Sequence, residues 1–124
     1  MERSEAPHSN IPITCVHPND LKVLENVLKI YLVYLRRSNG GDRRIRVMQR
    51  LHQRLKMLLS SSQSIDGTCI LFTEQELRAI NEALPGYMNM LCQIIAPSTQ
   101  RNEVLEGLQG LHQQFAAMLS AHLN

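Results

Sequence analysis

Apolar residues recur along most of this chain at the three- and four-residue spacing that lines one face of an α-helix. The clearest case runs from Arg43 to Leu59. At about 100° per residue, Val47, Met48, Leu51, Leu55, Leu58 and Leu59 share an arc of roughly 120°, with Ile45 at its edge. Arg43, Arg46, Arg50 and Arg54 recur at i, i+3, i+7 and i+11 and fall within about 80° of one another on a different face. Asp42 suits the positive end of the helix dipole and can cap the first turn. The spacing therefore predicts a helix over about 42–60, apolar on one side and cationic on another.

The preceding pattern predicts a helix over about 20–38, entered through Pro18, Asn19 and Asp20. Leu21, Leu24, Val27, Leu28, Tyr31, Leu32 and Leu35 make one face, and Val23, Ile30, Val33 and Tyr34 widen it past half the circumference. A helix apolar that far round needs two covering neighbours or a second subunit. Val23, Ile30, Val33 and Tyr34 are thus candidates for either core or a dimer surface, and a homodimer is expected. Ser38-Asn39-Gly40-Gly41 reads as a turn, because glycine and asparagine accept positive φ cheaply. Its shortness makes the two helices an antiparallel hairpin.

Thr73 and Glu76 match a capping box and open a third helix over about 74–96. Pro85 and Gly86 oppose it, since an interior proline costs about 3 kcal/mol. Yet Leu77, Ile80, Leu84, Met88, Leu91 and Ile95 keep phase across the proline within roughly 80°. Retained phase favours one helix kinked at Pro85 over two. A fourth helix, about 99–122, is expected to bury Val104, Leu105, Leu108, Leu111, Phe115, Met118 and Leu119. Residues 1–10, polar and aperiodic, read as a disordered tail, and Ser60 to Gly67 as a polar loop. The fold class that follows is mainly all-α, an antiparallel four-helix domain over residues 11–124.

Two short apolar runs interrupt the helical periodicity, Ile11 to Val16 and Thr68 to Phe72, and each suits an extended segment. Thr14-Cys15-Val16 precedes Leu21, Leu24, Leu28, Tyr31 and Leu35; Thr68-Cys69-Ile70 precedes Leu77, Ile80, Leu84, Tyr87 and Leu91. After a two-residue offset the apolar positions match one for one. The echo suggests two strand-helix-helix halves joined by a minor two-stranded β element; the competing explanation is that any two leucine-rich amphipathic helices align this way.

Composition narrows the class. At 124 residues with 44% apolar side chains, the chain suits one globular domain, and disorder is not the default. With two phenylalanines, three tyrosines and no tryptophan, the core must be aliphatic. Three cysteines, Cys15, Cys69 and Cys92, give an odd count with no metal-ligand spacing, which points to reduced thiols and a cytoplasmic location. The first ten residues lack the apolar core of a signal peptide. The uncharged run Ala83 to Gln100 is broken by Pro85, Gly86, Asn89, Gln93 and Pro97, so no membrane span is expected.

Catalytic chemistry finds no foothold. His8, His17, His52, His112 and His122 form no metal-binding pair on a helix, and no HExxH, GxSxG, P-loop or GxGxxG motif occurs. No cofactor or metal is expected, and the chain reads as a non-enzymatic domain. Charge is more informative. Between Arg36 and Lys56 eight basic residues face one acid, a local +7, so the rest of the chain sums to −5. Three owners compete for the Arg43, Arg46, Arg50 and Arg54 stripe: acids of this chain such as Glu82, Glu103 or Glu106, an acidic protein partner, or phosphates of a nucleic acid. Base-stacking aromatics are absent near the stripe. The expectation is an interaction or regulatory domain that binds a protein, with a nucleic-acid-binding regulator as the alternative.

Overall fold

The computed structural model describes residues 14–38, 43–61, 68–70 and 72–123. The expected tail at 1–10, the glycine turn with its Asp42 cap, and most of the polar loop before Thr68 lie outside the described residues. The chain is all-α in class, with four helices among the described residues: α1 Pro18–Ser38, α2 Arg43–Ser61, α3 Glu74–Ile94 and α4 Thr99–Leu123. Two three-residue segments, β1 Thr14–Val16 and β2 Thr68–Ile70, hydrogen-bond antiparallel in a register that sets Cys15 opposite Cys69.

Helices α1, α3 and α4 each start where a side chain satisfies an early amide group. Pro18 opens α1, at a position whose N–H would have no partner within the helix. His17 caps it: its Nδ1 accepts from the Asn19 amide at 3.1 Å and its carbonyl from the Asp20 amide at 2.9 Å. The helix therefore begins two residues before the expected start at Asp20, on a histidine cap that residue preferences do not flag. Thr73 and Glu76 form the reciprocal capping box of α3, at 3.1 and 2.9 Å. Ser98 opens α4, its Oγ accepting from the Arg101 amide at 3.0 Å.

Pro85 lies inside α3, which continues unbroken to Ile94. It forfeits one bond to the Asn81 carbonyl, whereas Leu77, Ile80, Leu84 and Leu91 on the same helix stay buried. Burying one such side chain is worth about 1.5–3 kcal/mol. Several in phase outweigh the lost bond. Ile95 then turns extended and its amide closes on the Leu91 carbonyl at 2.8 Å, ending the helix before the expected 96.

The core is aliphatic, as the composition requires. Leu21, Leu24 and Leu28 of α1, Met48, Leu51 and Leu55 of α2, Leu77, Ile80 and Leu84 of α3 and Phe115 of α4 are fully enclosed, together with Val16 and Phe72. Phe72 meets Phe115 edge to face at 5.4 Å. Helix α1 packs on α2 and α3, and α4 packs chiefly on α3. Two expected core positions are corrected. Ile95 is 44% exposed and Val104 50% exposed. Periodicity placed both on apolar faces, but Ile95 lies past the end of α3, and α4 buries nothing before Leu108.

One further sequence match becomes visible once α2 and α4 are compared. Leu51-His52-Gln53 and Leu59-Ser60 recur as Leu111-His112-Gln113 and Leu119-Ser120. Leu51 and Leu111 are buried in both, as are Leu55 and Phe115.

Candidate functional site

Two surfaces carry the features the sequence singled out. The first is the outer face of α2. Arg43, Arg46 and Arg50 are exposed there and make no ion pair among the described residues. Arg54, the fourth member of the expected stripe, behaves differently. Its Nη1 bonds to Glu76 Oε1 and its guanidinium lies 5.8 Å from the centroid of the Phe72 ring. Glu76 thus serves two elements, accepting from its own capping amide and from α2.

The internal pairing that competes for the stripe goes mainly to its neighbours. Arg44, one residue off the stripe, meets Glu82 of α3 at 2.7 Å. His52 meets Glu25 of α1 at 2.7 Å, in a partly buried contact. On α3 itself Glu74 accepts from Arg78 at 2.7 Å, and this bond holds its carboxyl below the usual carboxylate range. Of the acids proposed as stripe partners, Glu82 is engaged by Arg44, while Glu103 and Glu106 are exposed on α4. The α2 stripe therefore divides into one anchored arginine and three that face outward.

Met57 continues the outward row. At about 100° per residue it falls between Arg46 and Arg50 in direction, and the row from Arg43 to Met57 spans roughly 21 Å. It is 70% exposed. Arg50, Lys56, Met57 and Leu58 border an open hollow of about 860 Å³, so cations and apolar groups alternate along this edge.

The second surface belongs to α1 and α3. Val23, Ile30, Val33 and Tyr34, which the sequence left between core and dimer surface, are 37–48% exposed and lie outside the core. Both covering neighbours exist, α2 and α3, and α3 borders this sector without closing over it. Ile30, Val33 and Tyr34 join Met90 and Ile94 in a groove of about 360 Å³ rimmed by Lys29 and Arg37. Tyr34 stacks on Tyr31 at 5.9 Å. Tyr31 and Tyr87 are buried, and burial raises both phenols above their ordinary value.

The groove was half legible. Lys29, Ile30, Val33, Tyr34 and Arg37 share one sector of α1 by the helix repeat, whereas Met90 and Ile94 arrive from α3 only through tertiary packing. The Arg44–Glu82 and His52–Glu25 contacts carry no sequence signal, being 38 and 27 residues apart. Among the described residues no three histidine, cysteine or acidic side chains converge as a metal site would need. No helix among them is long and apolar enough to cross a membrane. No protein-family model, curated protein or solved structure matches the chain.

Proposed function

We propose that this is a non-enzymatic helical interaction domain, acting in the cytoplasm, whose α2 face binds an acidic protein partner. The observation that carries the reading is the row Arg43, Arg46, Arg50 and Met57, three outward arginines without an ion pair among the described residues and an exposed methionine in line with them. Arginine and methionine are enriched at protein interfaces because they combine apolar contact with fork-like or adaptable recognition. A phosphate backbone uses the arginines alone and gains little from Met57. No aromatic side chain lies in the row to stack on a base.

Binding of the full chain to acidic amphipathic peptides, and separately to generic duplex DNA and RNA, tests this over a salt titration. The expected result is peptide binding weakened roughly tenfold or more by Arg46→Glu with Arg50→Glu, and weakened also by Met57→Ala. Salt-sensitive DNA or RNA binding that ignores Met57→Ala would move the assignment to a nucleic-acid regulator. No binding to any probe at low salt would remove both.

The architecture supports a finer reading, two strand-helix-helix halves packed antiparallel. The antiparallel register of β1 and β2 about Cys15 and Cys69 favours it, as do the matched positions of α2 and α4. A homodimer is the second part of the proposal, supported by the apolar sector of α1 that stays partly exposed.

A further inference from the structure

We propose that Cys15 and Cys69 form a reversible disulfide that ties β1 to β2, so that the redox state of the surrounding small thiols sets how firmly the chain entering α1 is held to the chain entering α3. Backbone register carries the pairing. Thr14 is set against Ile70, Cys15 against Cys69 and Val16 against Thr68, so the cysteines are the central pair of three. Direct partners across an antiparallel pair have Cα atoms about 4.5–5.5 Å apart. Disulfides form at Cα separations of about 4.4–6.8 Å. The bond therefore asks for no backbone movement.

Two three-residue strands are marginal by themselves, but the core fixes both. Val16 of β1 is fully enclosed, and His17 next to it caps α1. Phe72, two residues past β2, is likewise enclosed and meets Phe115 of α4. The third cysteine does not compete for Cys69. Cys92 is exposed on α3, about 27 Å along the helix from Glu74. The five residues from Cys69 to Glu74 span at most about 18 Å. Cys69 and Cys92 thus stay at least about 9 Å apart, beyond the roughly 7 Å that a disulfide tolerates.

A small disulfide such as oxidised glutathione is the oxidant. The thiolate of one cysteine attacks a sulfur of the small disulfide, bonds to it and releases one small thiolate. The thiolate of the other cysteine attacks the protein sulfur of that mixed disulfide, which closes the Cys15–Cys69 bond and releases the second. Two protein thiols are oxidised, and the small disulfide leaves with their two protons as two small thiols. Excess small thiol reverses the sequence and keeps both cysteines reduced in a reducing compartment. The closed ring runs from residue 15 to residue 69, so it contains α1 and α2 and leaves α3, α4 and Cys92 outside.

Equilibration of the full chain in glutathione buffers of graded ratio tests this, with intact mass, thiol alkylation and non-reducing peptide mapping as readouts. The expected product keeps the mass of one 14.1 kDa chain, has lost two thiols, and yields a linked peptide pair containing Cys15 and Cys69. Cys92→Ser should keep the bond, and Cys15→Ser or Cys69→Ser should abolish it. The same titration in urea measures what the fold contributes. The bond should form on the order of a hundredfold more favourably in the folded chain, because folding supplies the closure that so long a ring otherwise costs. The oxidised chain should accordingly melt at a higher temperature than the reduced one. Three free thiols across the whole range, or glutathione retained on Cys15 and Cys69 without the internal bond, overturns the proposal. So does linkage through Cys92 or between two chains in its place, or a folded-to-urea ratio near one.

Discussion

The ring of Tyr31 occupies the space in which a side chain at Gly86 would begin. A Cβ built on Gly86 would stand 2.3 Å from the Tyr31 hydroxyl oxygen and 2.5 Å from Cζ. Helix α3 can approach α1 here only because residue 86 has no side chain. Pro85 and Gly86, read along the sequence, are two helix breakers in succession; in the fold one of them is the price of a close helix contact.

Gly86→Ala should accordingly destabilise the protein by about 1–2 kcal/mol. Overpacking costs about 1–3 kcal/mol, and alanine's better helix propensity returns about 0.5–1. In a Tyr31→Leu background the obstructing atoms are gone, and the same substitution should become neutral or mildly stabilising. Urea unfolding of the four proteins measures the coupling. An equal cost in both backgrounds would show that the contact does not govern residue 86.

Glu76 should matter more than Thr73, although the two share one capping box. Thr73→Ala removes a helix cap, a loss of about 1 kcal/mol. Glu76→Ala removes the reciprocal cap and also leaves Arg54 without this carboxylate. A loss of about 1.5–3 kcal/mol is expected, because a charge-assisted bond in a partly buried setting is stronger than an exposed one. Glu76→Gln should fall between, keeping an acceptor for the Thr73 amide while giving up the charge. Chemical denaturation checks the order, and a Glu76→Ala loss no larger than that of Thr73→Ala would contradict it.

Stability should fall at alkaline pH through Tyr31 and Tyr87. Burial comes first among the causes that raise each phenol, followed at Tyr31 by the nearby Glu82 carboxylate. A raised folded-state value means that the fold favours the neutral phenol. The contribution is fully present below the unfolded value of about 10 and is lost as pH rises through the folded one. Thermal melts between about pH 8 and 11 should show a shallower decline for Tyr31→Phe with Tyr87→Phe than for the wild type. The two proteins differ only at these positions, so the difference isolates the two phenols.

The helices were legible because their signals are local. A capping box needs only Thr73 and Glu76, and an apolar face needs only spacing, so Leu51 and Leu55 could be assigned to the core without a neighbour in view. The candidate sites were less so. Direction around a helix axis is periodic, but exposure depends on whether another element lies in that direction. Ile95 and Val104 have core-facing phase and remain exposed. Arg54 shares the phase of Arg43, Arg46 and Arg50, yet it packs on Phe72 and bonds Glu76, while its neighbour Arg44 reaches Glu82.

What the sequence determined by itself was the number of helices, their apolar faces, the capping of α3 and the concentration of positive charge on α2. Each follows from residues within a few turns of one another. Only the tertiary structure decided which arginines are anchored, why Gly86 must stay small, and that Ile30, Val33 and Tyr34 line a groove with Met90 and Ile94. Those outcomes depend on pairs from different helices, whose approach is set by the packing of the whole core.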